Sequence, residues 1–386
     1  MKVAFIHNEK KIGTGAHYIN DLMSSRLREA GVRVKNFYPK SPLLDAPLHL
    51  KGISNVLFFY ALLEHKDEIL KYDLIQGTTY TPLAFLPFSI PVVSHFGSTS
   101  WGFLKVVPLA KDMEAPLRKV WLMLKKDGVI RELNVRTRRP LRDVAEIEQL
   151  VALRADTVIA TSQVVRQDLL ETGVAPENIE VVPNAIEDYW FGRQPIVLVE
   201  KPSLVFLGRI GADAFTLKLK GLDRLIDHYQ RFPSLYKHTI GITTNKELAK
   251  WCDRKIPNHT FHPNLTKEKI PDLLSGLAGS ILLITSRYEG FSLSLLEGMS
   301  QGLIPVTYPV GIAPEIIQDG KNGFLVRSQA EGRKAIEHLL QLSDEERRVM
   351  ALAAQETAKR FTSKAISTRL IEVYAHTLKK RSKNSQ

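Results

Sequence analysis

The stretch from Ser280 to Met299 constrains this chain most. Ser280-Ile-Leu-Leu-Ile-Thr285 is a short unbroken apolar run between small polar residues, which predicts a buried strand. After Glu289-Gly290 the apolar spacing lengthens. Leu293, Leu296 and Met299 then share one face of a helix starting near Ser292. Strand, glycine turn and helix N-terminus in series leave amides unpaired at one spot, where a phosphate binds readily. Glu289 stands just before the helix and Glu297 inside it. A carboxylate in a buried helix needs a hydroxyl or a cation beside it, and ribose or hexose hydroxyls would suit. The same spacing also fits an exposed helix carrying two ordinary glutamates.

This strand-helix rhythm recurs along all 386 residues, a length that suggests two domains. Val3 to Ile6 predicts the first strand. Gly13-Thr14-Gly15 follows, then a helix buried through Ile19, Leu22, Met23 and Leu27, and a strand from Val32 to Phe37. The glycine pair would let backbone approach a ligand, or is a plain tight turn; it is no GxGxxG fingerprint. Helices are expected over 53–63 and most of 78–88, with a strand at 73–76 between them. Pro91-Val-Val-Ser-His95 predicts a strand closing on a loop of small residues. His95 thus falls at a strand's carboxyl end, where open α/β sheets bind ligands. A neutral imidazole there donates to a substrate hydroxyl, unless it is simply a satisfied structural histidine.

Strands at 156–160 and 179–182 complete the first half, which ends in Pro183-Asn184-Ala185-Ile186. Leu204 to Leu207 opens the second half and delivers Gly208-Arg209; Lys218, Lys220 and Gly221 come shortly after. An arginine and a lysine converging on a sheet edge would hold a diphosphate, or would be ordinary solvated loop cations. The expected fold is α/β, with two Rossmann-like doubly wound domains facing a cleft. The expected boundaries are 1–186 for a first domain, 187–202 for a linker and 203–362 for a second domain. A terminal helix at 363–386 is expected to cross back to the first domain.

Charge and cysteine content narrow the function. The single cysteine, Cys252, excludes an internal disulfide and a cysteine-rich zinc site. The net charge of +12 suggests an anionic partner. Residues 104–142 hold 11 Lys or Arg against 4 Asp or Glu, a local charge of +7. Aromatics are not interleaved with these cations as in a base-stacking platform, so nucleic acid is not expected. A helix opened by Pro116 and striped by Leu117, Val120, Trp121 and Leu124 could lie in an anionic membrane surface, or pack Trp121 inward. No run approaches the length of a membrane span or a signal peptide. The expectation is a cytoplasmic protein, or one peripheral to the inner membrane face.

The chain resembles the retaining GT-B-fold glycosyltransferases of the large family 4 group over nearly its whole length. Glu289-Gly-Phe-Ser-Leu-Ser-Leu-Leu-Glu297 carries the family's two glutamates with seven residues between them. Gly302-Leu-Ile-Pro-Val306, Gly311, Pro314-Glu315 and Asn322-Gly-Phe324 continue the match. Gly208-Arg209 and Lys220-Gly221 resemble its diphosphate clamp at a longer spacing than usual. Ala185 and the Gly13-Thr-Gly15 turn depart from its glycines. The resemblance implies sugar transfer from a nucleotide diphosphate sugar to a hydroxyl, with retention. It implies catalytic roles for His95, Arg209, Lys220 and Glu289, with Arg209 and Lys220 on the diphosphate, Glu289 on the donor sugar and His95 near its C6 hydroxyl. It implies substrate binding by Gly13, Gly15, Asn184, Gly290, Phe291, Ser292 and Glu297, the last on the ribose. No metal and no cofactor are implied. The expected acceptor is an anionic or lipid-linked glycan. The alternative is a non-catalytic nucleotide-sugar or polyanion binding module.

Overall fold

The computed structural model describes residues 1–7, 15–39, 58–134, 138–192, 196–211, 213–243 and 245–384. The chain forms two compact units. One comprises Met1–Lys105, Thr137–Glu187 and Phe361–Gln386; the other comprises Val106–Arg136 and Asp188–Arg360. Each is a Rossmann-like parallel sheet with helices.

In the first unit the strands are β1 (Lys2–Ile6), β2 (Arg33–Phe37), β3 (Leu74–Thr78), β4 (Val92–Phe96), β5 (Thr157–Ala160) and β6 (Ile179–Val181). They pair in parallel in the order β2-β1-β3-β4-β5-β6, so the winding reverses between β1 and β3. All four residues of β5 are buried, as expected of a strand covered on both faces. Edge strand β2 instead alternates, exposing Arg33, Lys35 and their neighbours in part. The Ser363–Asn384 helix packs on the Gly15–Glu29 helix within this unit, and its Tyr374 hydroxyl donates to Gln76 of β3. The helix expected at 78–88 is a turn followed by one short 3-10 segment, Leu83–Phe85. Pro82 and Pro87 lack the amides that a longer helix would need. Of the helix expected at 53–63, residues 53–57 lie outside the described residues; Phe58–His65 is a 3-10 helix.

The second unit holds β7 (Leu204–Leu207), β8 (Lys237–Gly241), β9 (His259–Pro263), β10 (Ile281–Ile284), β11 (Ile304–Thr307) and β12 (Phe324–Leu325). Their order, β12-β11-β10-β7-β8-β9, reverses between β7 and β10. Every residue of β7, β10 and β11 is buried. The 187–202 stretch is packed rather than a loose tether. Trp190 is buried with its carbonyl accepting from Gln301 at 2.6 Å, and Ile196 and Leu198 cover Gly302 and Gly279.

One expectation about the basic segment is overturned: residues 106–136 belong to the second unit, not the first. Of the two readings left open for the apolar stripe of the Ala115–Lys126 helix, inward packing is the one observed. Leu117, Val120, Trp121 and Leu124 are all buried, and the helix packs on the Leu222–Arg231 helix. The physical reason is area: a tryptophan buries 150–250 Å2 of roughly apolar surface, and a protein partner is present to receive it. Asp127 fixes the end of this segment by accepting from Trp251 Nε1 at 2.8 Å, and Asn245 donates to the Val129 carbonyl at 3.4 Å.

Candidate active site

Ligands of doubly wound sheets bind beyond the carboxyl ends of the strands where the order reverses. In the second unit that place lies between β7 and β10. Gly208 and Arg209 follow β7, and Arg209 is exposed there. The Ala214–Leu219 helix comes next, its start capped by Asp213, whose carboxylate takes the amides of Phe215 and Thr216 at 2.8 and 3.0 Å. Lys220 ends this helix, and Gly221 follows with φ +64. A Cβ on Gly221 would lie 1.9 Å from the Thr285 carbonyl oxygen, so only glycine lets this turn rest against the end of β10. Thr285 Oγ1 in turn donates to the Lys220 carbonyl at 3.0 Å.

That close approach places Lys220 Nζ 2.5 Å from Glu289 Oε1. The same carboxylate oxygen accepts from Ser286 Oγ at 2.6 Å. Both charged side chains keep some exposure, 27% for Lys220 and 16% for Glu289, so the pair is held yet reachable. Lys218, the competing cation, is fully buried. Its amine donates to the Pro108 carbonyl at 3.0 Å and sits 5.7 Å from the Trp121 ring centroid.

Gly290 and Phe291 are buried in the turn that leads to the Leu293–Ser300 helix. The Phe291 carbonyl accepts the Ile312 amide at 2.9 Å, and a Cβ on Gly311 would come within 2.4 Å of that oxygen. Ser292 is left-handed at φ 77, a conformation costing a non-glycine residue of order 1–3 kcal/mol. Its hydroxyl is buried without a hydrogen-bond partner, and it does not cap the helix. A strained residue with an unsatisfied donor at a helix N-terminus is suited to a phosphate oxygen. Glu297 is buried one turn further on, with Lys267 Nζ 3.7 Å from Oε1.

Sequence reasoning missed the groups that hold this turn. Arg287 forms a two-pronged pair with Asp223 at 2.8 and 2.6 Å and also donates to the Lys218 carbonyl at 2.7 Å. Arg224 donates to the carbonyls of Thr285 and Ser286, both at 3.3 Å, and its guanidinium lies 3.8 Å from the Tyr308 ring centroid. Arg287 stands two residues before the glutamate motif, yet nothing local in the sequence points to a partner 64 residues away.

In the first unit, Asn184 and His95 come together with Gln76 and Asn20 around a cavity of about 10 Å3, also lined by Ile366 and Leu370. Enclosure holds His95 neutral, lowering its pKa to about 4. The loop after β4 is pinned by two buried carboxylates that the sequence did not reveal. Glu148 accepts from Ser100 N at 2.6 Å and Ser100 Oγ at 3.0 Å. Burial pushes its pKa up to about 7, against the lowering effect of the two Ser100 hydrogen bonds. Asp168 accepts from Thr99 Oγ1 at 2.8 Å. Thr79, at the end of β3, is left-handed at φ 46, with its amide on the His95 carbonyl at 3.0 Å. Gly15 is the first residue of the Gly15–Glu29 helix, and Gly13 lies outside the described residues. The assigned residues thus form two groups, one in each unit.

Two doubly wound units, each with polar groups at its strand ends, define the class as a GT-B fold. Residues 195–364 match the family model of glycosyl transferases group 1, and residues 20–188 match that of glycosyltransferase family 4. The chain belongs to the GT-B-fold glycosyltransferases related to these groups. It is 27% identical over 223 residues to alpha-maltose-1-phosphate synthase of Mycolicibacterium smegmatis, covering 50% of this chain and 53% of that protein. The chain therefore spans about half the length of the curated relatives it matches. Its fold is similar to sucrose-phosphate synthase from Thermosynechococcus elongatus, with TM-score 0.73, 16% identity and coverage of 97% and 98%. It is also similar to WaaG, a glycosyltransferase involved in lipopolysaccharide biosynthesis, with TM-score 0.69, 16% identity and coverage of 96% and 99%.

Proposed function

We propose that this protein transfers a sugar from a nucleotide diphosphate sugar to a hydroxyl acceptor with retention of anomeric configuration, in the synthesis of a cell-surface glycan or glycolipid. The observation that carries the reading is the Lys220–Glu289 contact at the reversal point of the second sheet, where β7 also delivers exposed Arg209 and the turn at Ser292 is strained. The barrier in such a transfer is cleavage of the bond between the anomeric carbon and the phosphate oxygen. Arg209 and Lys220 stabilise the charge that gathers on the departing diphosphate, and the helix amides after Ser292 add to it. Glu289 keeps Lys220 in place and accepts a donor-sugar hydroxyl. Glu297 accepts from the ribose hydroxyls. His95, neutral near pH 7, and Asn184 offer uncharged partners to sugar hydroxyls.

Among these residues no carboxylate is assigned as nucleophile, so the acceptor attacks from the face the diphosphate leaves. The acceptor oxygen bonds to the anomeric carbon, the diphosphate keeps the electron pair, and the acceptor proton passes to a departing phosphate oxygen. The membrane part of the expectation loses its original basis, because the Trp121 stripe is buried. No helix among the described residues is long and apolar enough to cross a membrane.

The test is a panel of nucleotide diphosphate sugars with and without carbohydrate acceptors, reading free nucleoside diphosphate, product mass and anomeric configuration. Acceptor-dependent release with a retained product is expected. Tight nucleotide binding without turnover for any pair would favour a binding module instead. Release independent of acceptor would make it a hydrolase.

A further inference from the structure

The opposite end of the first sheet carries a second feature. At the amino ends of β1 and β2 lies a cavity of about 520 Å3 lined by Lys2, Arg28, Arg33, Lys35, Lys71 and Glu68, with Val34 and Tyr72 as its apolar walls. Lys35 pairs with Glu68, the single carboxylate of the lining. Asp73, nearby, is engaged by the Lys2 main-chain amide at 2.7 Å. Lys2, Arg28, Arg33 and Lys71 are left with no carboxylate partner among the described residues. Arg28 is held in place by its Nε, which donates to the Val34 carbonyl at 3.1 Å, so the rest of its guanidinium is free to face a ligand.

This arrangement costs stability in the empty protein. Lys2 and Arg33 are directly paired across β1 and β2, and like charges set opposite each other repel. Charge on an edge strand also guards against aggregation, and β2 is an edge. That role accounts for Arg33 and Lys35. It does not account for Arg28, which comes from the Gly15–Glu29 helix, or for Lys71, which follows the Lys66–Ile69 helix. Cations from two strands, one helix and the turn after another converge on one volume. Two guanidinium and two ammonium groups around a concave space match the several oxygens and multiple charge of a phosphate better than a lone carboxylate.

We propose that this cavity is a binding site for a phosphate-bearing anion, separate from the donor site of the second unit. The ligand is a soluble phosphate compound or the headgroup of an anionic lipid. It does not depend on the proposed transferase reaction.

The test uses the full chain carrying Arg209→Ala and Lys220→Ala, so that the proposed diphosphate clamp cannot report. Titration calorimetry with inorganic pyrophosphate at low salt is expected to show binding. Adding Arg33→Glu and Lys71→Glu should weaken it by about tenfold or more, since charge-assisted contacts become repulsive. The milder Arg33→Gln and Lys71→Gln pair serves if the reversals disturb the thermal melt. In parallel, the protein with its clamp intact is sedimented with phosphatidylcholine vesicles with and without phosphatidylglycerol. Pyrophosphate binding lost in the variants identifies a soluble ligand. Partition onto the anionic vesicles alone, abolished by the same substitutions, identifies a headgroup. Binding unchanged by either substitution pair, or none in either arm, overturns the site. Donor turnover in Arg33→Glu/Lys71→Glu should equal that of the unaltered chain.

Discussion

The two units solve the same topological problem with opposite electrostatics. Both are parallel sheets whose order reverses once, and both hold a left-handed non-glycine residue at a strand's carboxyl side, Thr79 in the first and Ser292 in the second. At its reversal point the second unit carries charged side chains: the Lys220–Glu289 pair, the Arg287–Asp223 pair and exposed Arg209 after β7. Around β4 the first unit suppresses charge, with His95 lowered to about 4 and Glu148 raised to about 7. A diphosphate leaving group needs preorganised positive charge. Sugar hydroxyls need only neutral donors and acceptors. In the proposed reaction, that difference would match the two chemistries.

The comparison breaks first if the charged framework of the second unit is ornamental. Arg287→Met leaves Asp223 buried and unpaired, and a loss of roughly 3–5 kcal/mol in unfolding free energy is expected by denaturant titration. Trp121→Ala should cost a similar amount, roughly 3–5 kcal/mol, through the cavity it opens. Vesicle partition should be unchanged in that variant as long as it is folded. A folded Trp121→Ala protein that loses vesicle binding would restore the membrane reading of this helix.

Next in size is turnover. Arg209→Ala and Lys220→Ala should each slow it by roughly 2–4 kcal/mol in activation free energy with the donor saturating. Lys218→Met should leave kcat near normal, because that amine is spent on the Pro108 carbonyl. Normal kcat in Lys220→Ala would remove the diphosphate role from the lysine that pairs with Glu289.

The neutral site is sharpened by pH. Glu148 has its folded pKa raised, so its favourable contribution is complete below about 4.5 and is lost as pH rises through about 7. His95 has its folded pKa lowered, so its contribution is complete above about 6.5 and is lost as pH falls towards 4. Between those limits the two oppose each other. Glu148→Gln should make stability climb more steeply with pH, and His95→Asn should make it fall. Denaturant midpoints from pH 4.5 to 7 read both slopes, and equal slopes in the two variants would show that neither group titrates as described. The smallest effect is expected at Glu297. Glu297→Gln should raise the donor KM by about tenfold with little change in kcat, since a ribose contact is made equally before and during the reaction. A collapsed kcat at normal KM would give Glu297 a chemical role instead.

Much of the second site was legible because its parts are local. The apolar run before Thr285, the turn at Gly290 and the helical spacing after Ser292 each sit within a few residues, where period alone separates strand from helix. The pairing of Lys220 with Glu289 was less so: the sequence offered Lys218 and Lys220 as equals. The choice came from burial, since a step of two residues put Lys218 under Trp121 and left Lys220 partly exposed. In the first unit, Glu148 and Asp168 lie on helices that read as ordinary amphipathic segments. Their partners Ser100 and Thr99 are 48 and 69 residues away, and a polar residue on a helix carries no mark of what it will meet.

The sequence by itself determined the elements, the two parallel sheets and the motif that ties the chain to its family, because strand runs and glycine turns act through near neighbours. Tertiary structure alone decided which unit takes residues 106–136. Their charge pointed outward to an anionic surface, but their apolar stripe found more contact on the Leu222–Arg231 helix than any bilayer interface was needed to supply. Burial of Trp121, Val120 and Leu124 is a sum over distant partners, and no local pattern encodes that sum.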